Sequence, residues 1–219
     1  MLVETMTVGF VQTNCYLAYH EITREGFLVD PGDNAPRIID TINRLHIQVK
    51  YIFLTHSHFD HIMALADVSA ATGAKIAIHE SETDGITNPD TAVTRALGLP
   101  ALSIDPAHVD VPLKDRDTID CAGERLTILH TPGHTVGSIC IDTGGMLFSG
   151  DTLFEGGCGR CDLPGGDYMA MLASLRRLAG LPGDRTVYPG HAASTTLIHE
   201  RQTNGDMLRA LHSVRCKLR

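Results

Sequence analysis

Between residues 55 and 61 the chain reads Thr55-His56-Ser57-His58-Phe59-Asp60-His61, which sets three imidazoles and a carboxylate within six positions. The apolar run Tyr51-Ile52-Phe53-Leu54 before it predicts a short buried strand, and Ile62-Met63-Ala64-Leu65-Ala66 after it predicts the start of a helix. The cluster therefore falls on a loop at the carboxyl end of a strand, the edge of an α/β sheet where ligands and catalytic groups collect. Alternate side chains of an extended segment share a face, so His56, His58 and Asp60 are expected together. His61 joins them only if the chain turns there. Without a cation, four such groups converging on one point repel or stay unpaired. Imidazole together with carboxylate suits zinc, iron or manganese. A polar surface loop that happens to hold histidines is the weaker reading of so dense a set.

Three more groups of the same kind follow predicted strands: His134 in Thr131-Pro132-Gly133-His134, Asp151 in Ser149-Gly150-Asp151, and His191 in Pro189-Gly190-His191. Taken singly, the histidines could be structural turn residues and the aspartate a cap. The string His56-Ser57-His58-Phe59-Asp60-His61 has the form HxHxDH, and with the later three groups it resembles the metallo-β-lactamase fold superfamily. That resemblance implies an α/β (α+β) fold, a four-layer αββα sandwich with a metal site at the sheet edge. It implies two divalent metal ions, zinc the leading candidate with iron or manganese as alternatives. His56, His58 and His134 would hold one ion, Asp60, His61 and His191 the other, and Asp151 would bridge. A water activated between two such cations would be the nucleophile, and Asp60 would orient it as a catalytic residue.

The rest of the chain fits that plan. Val3–Val8, Asn14–Tyr19 and Gly26–Val29 predict strands. Ala35–His46 carries Ile38, Ile39, Ile42 and Leu45 at helical spacing, with Pro36 in its first turn. Gln48–Leu54 is the strand that delivers the histidine loop. Met63–Thr72 predicts a helix stopped by Gly73, and Lys75–His79 a strand. Residues 81–108 mix polar, Pro and Gly residues around the apolar piece Val93–Leu99, and read as a surface connection with a helical turn or as a lid or substrate-side insertion. Val109–Val111, Thr118–Cys121 and Arg125–His130 predict strands, as do Gly137–Ile141 and Met146–Phe148, which Gly144-Gly145 joins as a hairpin. A glycine-rich loop, Leu153 to Gly166, precedes a helix over Asp167–Leu178 with Asp167 as N-cap. Thr186–Tyr188 is the last predicted strand. A helical region capped by Thr195 or Thr196 then runs toward Arg219, interrupted at Asn204-Gly205. The order of strands, helix and ligand loop occurs coarsely twice.

The chain has 219 residues, of which 43% are hydrophobic and 20% charged, so a single domain over residues 1–219 is expected. The formal net charge of −8 argues against a nucleic-acid partner, since phosphate binding needs a basic face. No apolar run reaches the ~18 residues of a membrane span, and no basic-then-apolar leader opens the chain. A cytoplasmic protein acting on a small molecule is expected, with its oligomeric state left open. Six scattered cysteines in such a chain read as reduced thiols. Cys158-Gly159-Arg160-Cys161 is a single CxxC, and a glycine-rich loop carrying two small residues is preferred over a redox or metal pair.

Within the superfamily the segments Thr13–Tyr16, Gly150–Phe154, Gly159–Asp167, Tyr188–His191 and Thr195–Arg201 resemble small glyoxalase II-like (hydroxyacylglutathione hydrolase-like) hydrolases. The implied activity is hydrolysis of thioesters such as S-lactoylglutathione. There are departures. Met63 and Ala64 stand where small glycines are usual, Asn204-Gly205 replaces the usual Asn-Pro, and the long C-terminal helical domain that grips glutathione in larger enzymes is missing. Arg160 could meet a substrate carboxylate or tie down its own loop, and the second role is favoured. An iron-dependent persulfide dioxygenase is the first alternative, since Gly157–Arg160 resembles that group's loop. A lactonase or β-lactamase, and a metal-binding module without turnover, follow it.

Overall fold

In a computed structural model, residues 1–87, Gly98 and 107–212 are described. Two sheets of six strands each form the frame. The first runs in sequence order: β1 (Leu2–Val8), β2 (Thr13–Tyr19), β3 (Glu25–Val29), β4 (Gln48–Phe53), β5 (Lys75–His79) and β6 (Val111–Leu113). The second reads β12 (Thr195–Thr196), β11 (Thr186–Pro189), β10 (Met146–Gly150), β9 (Ile139–Asp142), β8 (Glu124–His130), β7 (Thr118–Cys121). β3, β4, β5 and β6 are parallel neighbours, so each chain crossing between them needs a connection over the sheet. Helices α1 (Ala35–Arg44) and α3 (Leu65–Thr72) provide two of these.

Every residue of β2 is buried, because both faces of its sheet are covered. The period of two sorts its side chains. Cys15, Leu17 and Tyr19 join Ile38 and Ile42 of α1 and Val68 of α3 in one apolar layer. Tyr16 and Ala18 instead join Phe27, Phe53 and Phe148 in the layer between the two sheets. There Phe27 meets both Phe53 and Phe148 edge-on, with ring centroids 5.6 Å apart in each pair. A third layer packs Leu129, Cys140, Leu147 and Val187 of the second sheet under α5 (Tyr168–Ala179), α6 (Leu197–Thr203) and α7 (Gly205–His212). The order is helix, sheet, sheet, helix, the expected αββα sandwich. Among the described residues no helix is long and apolar enough to cross a membrane.

The element boundaries move in instructive places. The helix expected over Met63–Thr72 starts two residues later, at Leu65. A single turn, α2 (Phe59–Ile62), starts directly after His58, and α3 follows Ala64. The strand expected at Val109–Val111 is Val111–Leu113, and that at Gly137–Ile141 is Ile139–Asp142. Residues 80–82 form a 3-10 turn continued by α4 (Thr83–Thr87), in the stretch where a connection with a helical turn was one of the two readings; Val93–Leu99 lies outside the described residues apart from Gly98. β12 is too short to leave a sequence signal. Asp167 caps α5 by accepting from the amides of Met169 and Ala170, and Thr196 caps α6 through the amide of His199. Helix α6 stops at Thr203 and α7 restarts at Gly205, at the expected interruption. The end of the region expected to run toward Arg219 lies outside the described residues.

Candidate metal centre

The carboxyl ends of β4, β8, β10 and β11 meet at one edge of the sandwich, and the seven polar residues singled out in the sequence stand there. Their side-chain donor atoms form three groups, each within 4.8 Å: His56 with His58 and His134; His56 with His61 and Asp151; and Asp60 with His61 and His191. Asp151 links the groups. Its Oδ1 is 3.5 Å from His61 Nε2, and its Oδ2 is 3.5 Å from both His134 Nε2 and His191 Nε2. Asp60 Oδ2 lies 3.3 Å from His191 Nε2 and 3.6 Å from His61 Nε2. The extended-chain expectation for the first loop is corrected here. Asp60 groups with His61 rather than with His56 and His58, because the backbone turns into α2 at Phe59 and ends the alternation.

Buried polar atoms are normally paired. Three here are not: His56 Nε2, His61 Nε2 and Asp151 Oδ1. All three belong to the central group, so the donor set fits a cation. Charge tells the same story. Burial and the neighbouring imidazoles push His56 well below its ordinary range and His58 down to about 3, which leaves neutral rings with lone pairs to offer. His61 goes the other way. Burial lowers it, but the carboxylates of Asp60, Asp30 and Asp151 outweigh that and raise it to about 10. One side of the centre refuses protons and the other attracts positive charge.

The surroundings aim these groups, and several of the residues responsible left no clear sequence signal. Asp30 is 1% exposed and holds a left-handed backbone, φ 51°. Its Oδ2 is 3.0 Å from His61 Nδ1 and accepts from the Thr55 hydroxyl at 2.7 Å, while Oδ1 accepts from the Thr55 amide. The Thr55 hydroxyl is also 3.1 Å from His56 Nδ1. One carboxylate thus fixes the rings whose Nε2 atoms are unpaired. Thr13 donates to Asp60 Oδ2 at 2.9 Å. Asn14 and Tyr16 reach across from the first sheet to the carbonyl of Pro189, and the Asn14 amide donates to the Gly190 carbonyl. That pins the turn carrying His191. A Cβ at Gly190 would lie 2.2 Å from Asp151 Oδ1, so only glycine lets the turn approach so closely.

The centre opens into a cavity of about 430 Å³. Val11, Phe59, Phe154 and Leu163 give it apolar walls, while His58, Asp60, His134, Asp151 and His191 line its floor. Arg160 is at the rim, but its guanidinium makes two hydrogen bonds to Asp162, at 2.7 and 2.8 Å. The loop-tying role is therefore the one its contacts show. Cys158 and Cys161 are free thiols, as are Cys15, Cys121 and Cys140; Cys216 lies outside the described residues. Burial, with Asp206 beside it, raises the Cys158 thiol to about 12, which makes it a poor nucleophile.

A pair of sheets with a polyhistidine-aspartate centre at their shared edge defines a metal-dependent hydrolase class. The profile of the metallo-beta-lactamase superfamily matches residues 8–191, and the chain belongs to that family. It is 32% identical over 213 residues to the hydroxyacylglutathione hydrolase GloC of Haemophilus influenzae, covering 93% of this chain and 97% of the relative. Among solved structures it is similar to the BLEG-1 B3 metallo-beta-lactamase, with a TM-score of 0.87 and 32% identity over 94% of this chain and 99% of that one. It is also similar to TTHA1623 in a di-iron-bound form, with a TM-score of 0.81 and 37% identity over 93% and 99%.

Proposed function

We propose that the chain is a dinuclear-metal thioester hydrolase of the hydroxyacylglutathione hydrolase kind. The observation that carries the reading is the trio of unpaired buried atoms, His56 Nε2, His61 Nε2 and Asp151 Oδ1, inside a donor cluster whose members His58, Asp60, His134, Asp151 and His191 line an open cavity. His56, His58 and His134 would hold one ion, Asp60, His61 and His191 the other, with Asp151 between them. When bound, two divalent ions supply Lewis acidity and bring the pKa of a water from ~15.7 toward ~7. Zinc suits the donor set, and the di-iron form of a similar structure makes iron an equal candidate.

The chain's own residues prepare the reaction. Burial raises the Asp60 carboxyl, but the charge of His61 and hydrogen bonds from His191 and Thr13 more than offset this and keep it ionised. It is thus an acceptor held at the cavity floor, able to orient a nucleophile's proton. Phe154, Phe59, Val11 and Leu163 exclude water around the acyl group, which strengthens every polar contact on the floor. The name of the similar hydroxyacylglutathione hydrolase and a cavity of about 430 Å³ support a hydroxyacyl-glutathione substrate.

The test is turnover of S-lactoylglutathione by protein stripped with a chelator and reloaded with zinc, iron or manganese. Parallel assays use a lactone, a β-lactam and glutathione persulfide with oxygen uptake. Thioester cleavage that returns with metal and vanishes in His58→Ala is the expected result. Faster turnover of any other substrate class would replace this reading.

A further inference from the structure

Glu82 ends the 3-10 turn after β5 and is 5% exposed. A buried carboxylate needs donors, and those that Glu82 has among the described residues come from the His56–His58 loop and the loop after His134. Oε2 accepts from the Ser57 amide at 3.1 Å and from the Ser57 hydroxyl. Oε1 accepts from the Gly137 amide at 2.9 Å. Ser57 lies between His56 and His58, and Gly137 is three residues after His134. These loops carry the members of the three-histidine group. Packing around the contact is tight: a Cβ on Gly137 would lie 2.5 Å from Glu82 Cγ, and one on Gly85 would lie 2.3 Å from Ser57 Oγ.

The Asp60–His61–His191 group is braced by other residues, of which Asp30 also reaches His56 through the Thr55 hydroxyl. Asp30 holds His61, Thr13 holds Asp60, and Tyr16 with Asn14 holds the turn of His191. We propose that Glu82 is a positioning residue dedicated to the three-histidine site. Its single carboxylate clamps the His56–His58 segment to the His134 loop, so that three ring nitrogens from distant parts of the chain face one point. The acceptor-only chemistry of a carboxylate suits a position that receives two amides and a hydroxyl. A glutamine there would turn an NH₂ group toward at least one donor. The inference rests on the two groups being metal positions, and its test separates the two claims.

Apo-protein is titrated with cobalt(II), followed by calorimetry and by visible absorption, for wild type, Glu82→Gln, Ser57→Ala and Asp30→Asn. Wild type is expected to take up two equivalents. In Glu82→Gln one equivalent weakens about 10–100-fold and its absorption band changes, while the other equivalent keeps its affinity. Ser57→Ala weakens the same equivalent less, and carries the test if Glu82→Gln does not fold. Asp30→Asn weakens the equivalent that Glu82→Gln spares more than the one it affects. The proposal is overturned if Glu82→Gln, or Ser57→Ala in its place, binds both equivalents with wild-type affinity and spectrum while melting earlier. It is equally overturned if both equivalents weaken alike. Wild type binding no cobalt would overturn the metal reading itself.

Discussion

His134 Nδ1 lies 2.7 Å from the backbone carbonyl of Arg160. A carbonyl only accepts, so Nδ1 carries a proton, and Nε2, 2.8 Å from His58 Nδ1, is the nitrogen turned to the centre. The Arg160 residue thus serves the site through its main chain, while its exposed side chain pairs with Asp162. Arg160→Ala should leave metal content at two ions and change kcat/KM by less than about 5-fold, since the exposed guanidinium pairs with its own loop and an exposed pair contributes little. Gly159→Ala next door should be far worse, because the new Cβ would lie 2.1 Å from the Asp151 carbonyl. Elemental analysis and steady-state kinetics on both variants check this. A loss of kcat/KM above tenfold in Arg160→Ala, confined to carboxylate-bearing substrates, would return the guanidinium to a substrate role.

The apolar wall at Phe154 is held from behind. Asn204 Nδ2 donates to the carbonyls of Phe154 and Gly157, and to Glu200 Oε2, which in turn accepts from the Gly156 amide. Asn204→Ala removes a buried amide from this network and should cost about 1–3 kcal/mol by urea denaturation. It should also raise KM more than it lowers kcat, because the loosened turn carries a pocket wall and no metal-facing group. A change in kcat alone would show that the turn reaches the chemistry.

Asp142 and Arg185 form a buried ion pair across the second sheet, with Arg185 donating at 2.7 and 2.9 Å. Arg185→Met leaves the buried Asp142 charge without its cation, keeping only the Gly144 amide, and should cost about 3–5 kcal/mol, whereas Arg185→Met with Asp142→Leu should recover most of that. Chemical denaturation of the two variants measures the difference. Equal destabilisation of both would mean that shape, rather than the stranded charge, governs this position.

The His79 ring stacks on His130 at 4.1 Å and 11°, linking the ends of β5 and β8. Burial first, and His130 beside it, hold the His79 imidazole below its ordinary value, against the weaker opposing pull of Glu80, Glu82 and Asp115. The native state therefore takes up the His79 proton less readily than the unfolded chain does. This contribution is fully present above the unfolded value near 6.5, and stability falls as pH drops below it. Relative to wild type, His79→Gln should lose less stability between pH 8 and pH 5, read from denaturation midpoints. Parallel pH curves for the two proteins would refute it.

The seven residues that meet at the sheet edge were legible in the chain because strands, turns and ligand types are local. A run of apolar residues, a Pro-Gly turn and an imidazole can be read in a window of ten, and the spacing in HxHxDH is itself a local property. The resemblance then set the order of layers, which no periodicity contains. Asp30 and Glu82 stayed out of view for the opposite reason. One sits in an ordinary Asp-Pro-Gly turn and the other in a polar stretch, and neither has a neighbour in sequence that marks it. Their partners are 25 to 55 positions away. The chain alone determined which atoms could bind a cation. Only the tertiary structure decided what aims those atoms, since the turn into α2 ends the alternation that would have set Asp60 beside His56 and His58, and buried carboxylates choose their donors through space.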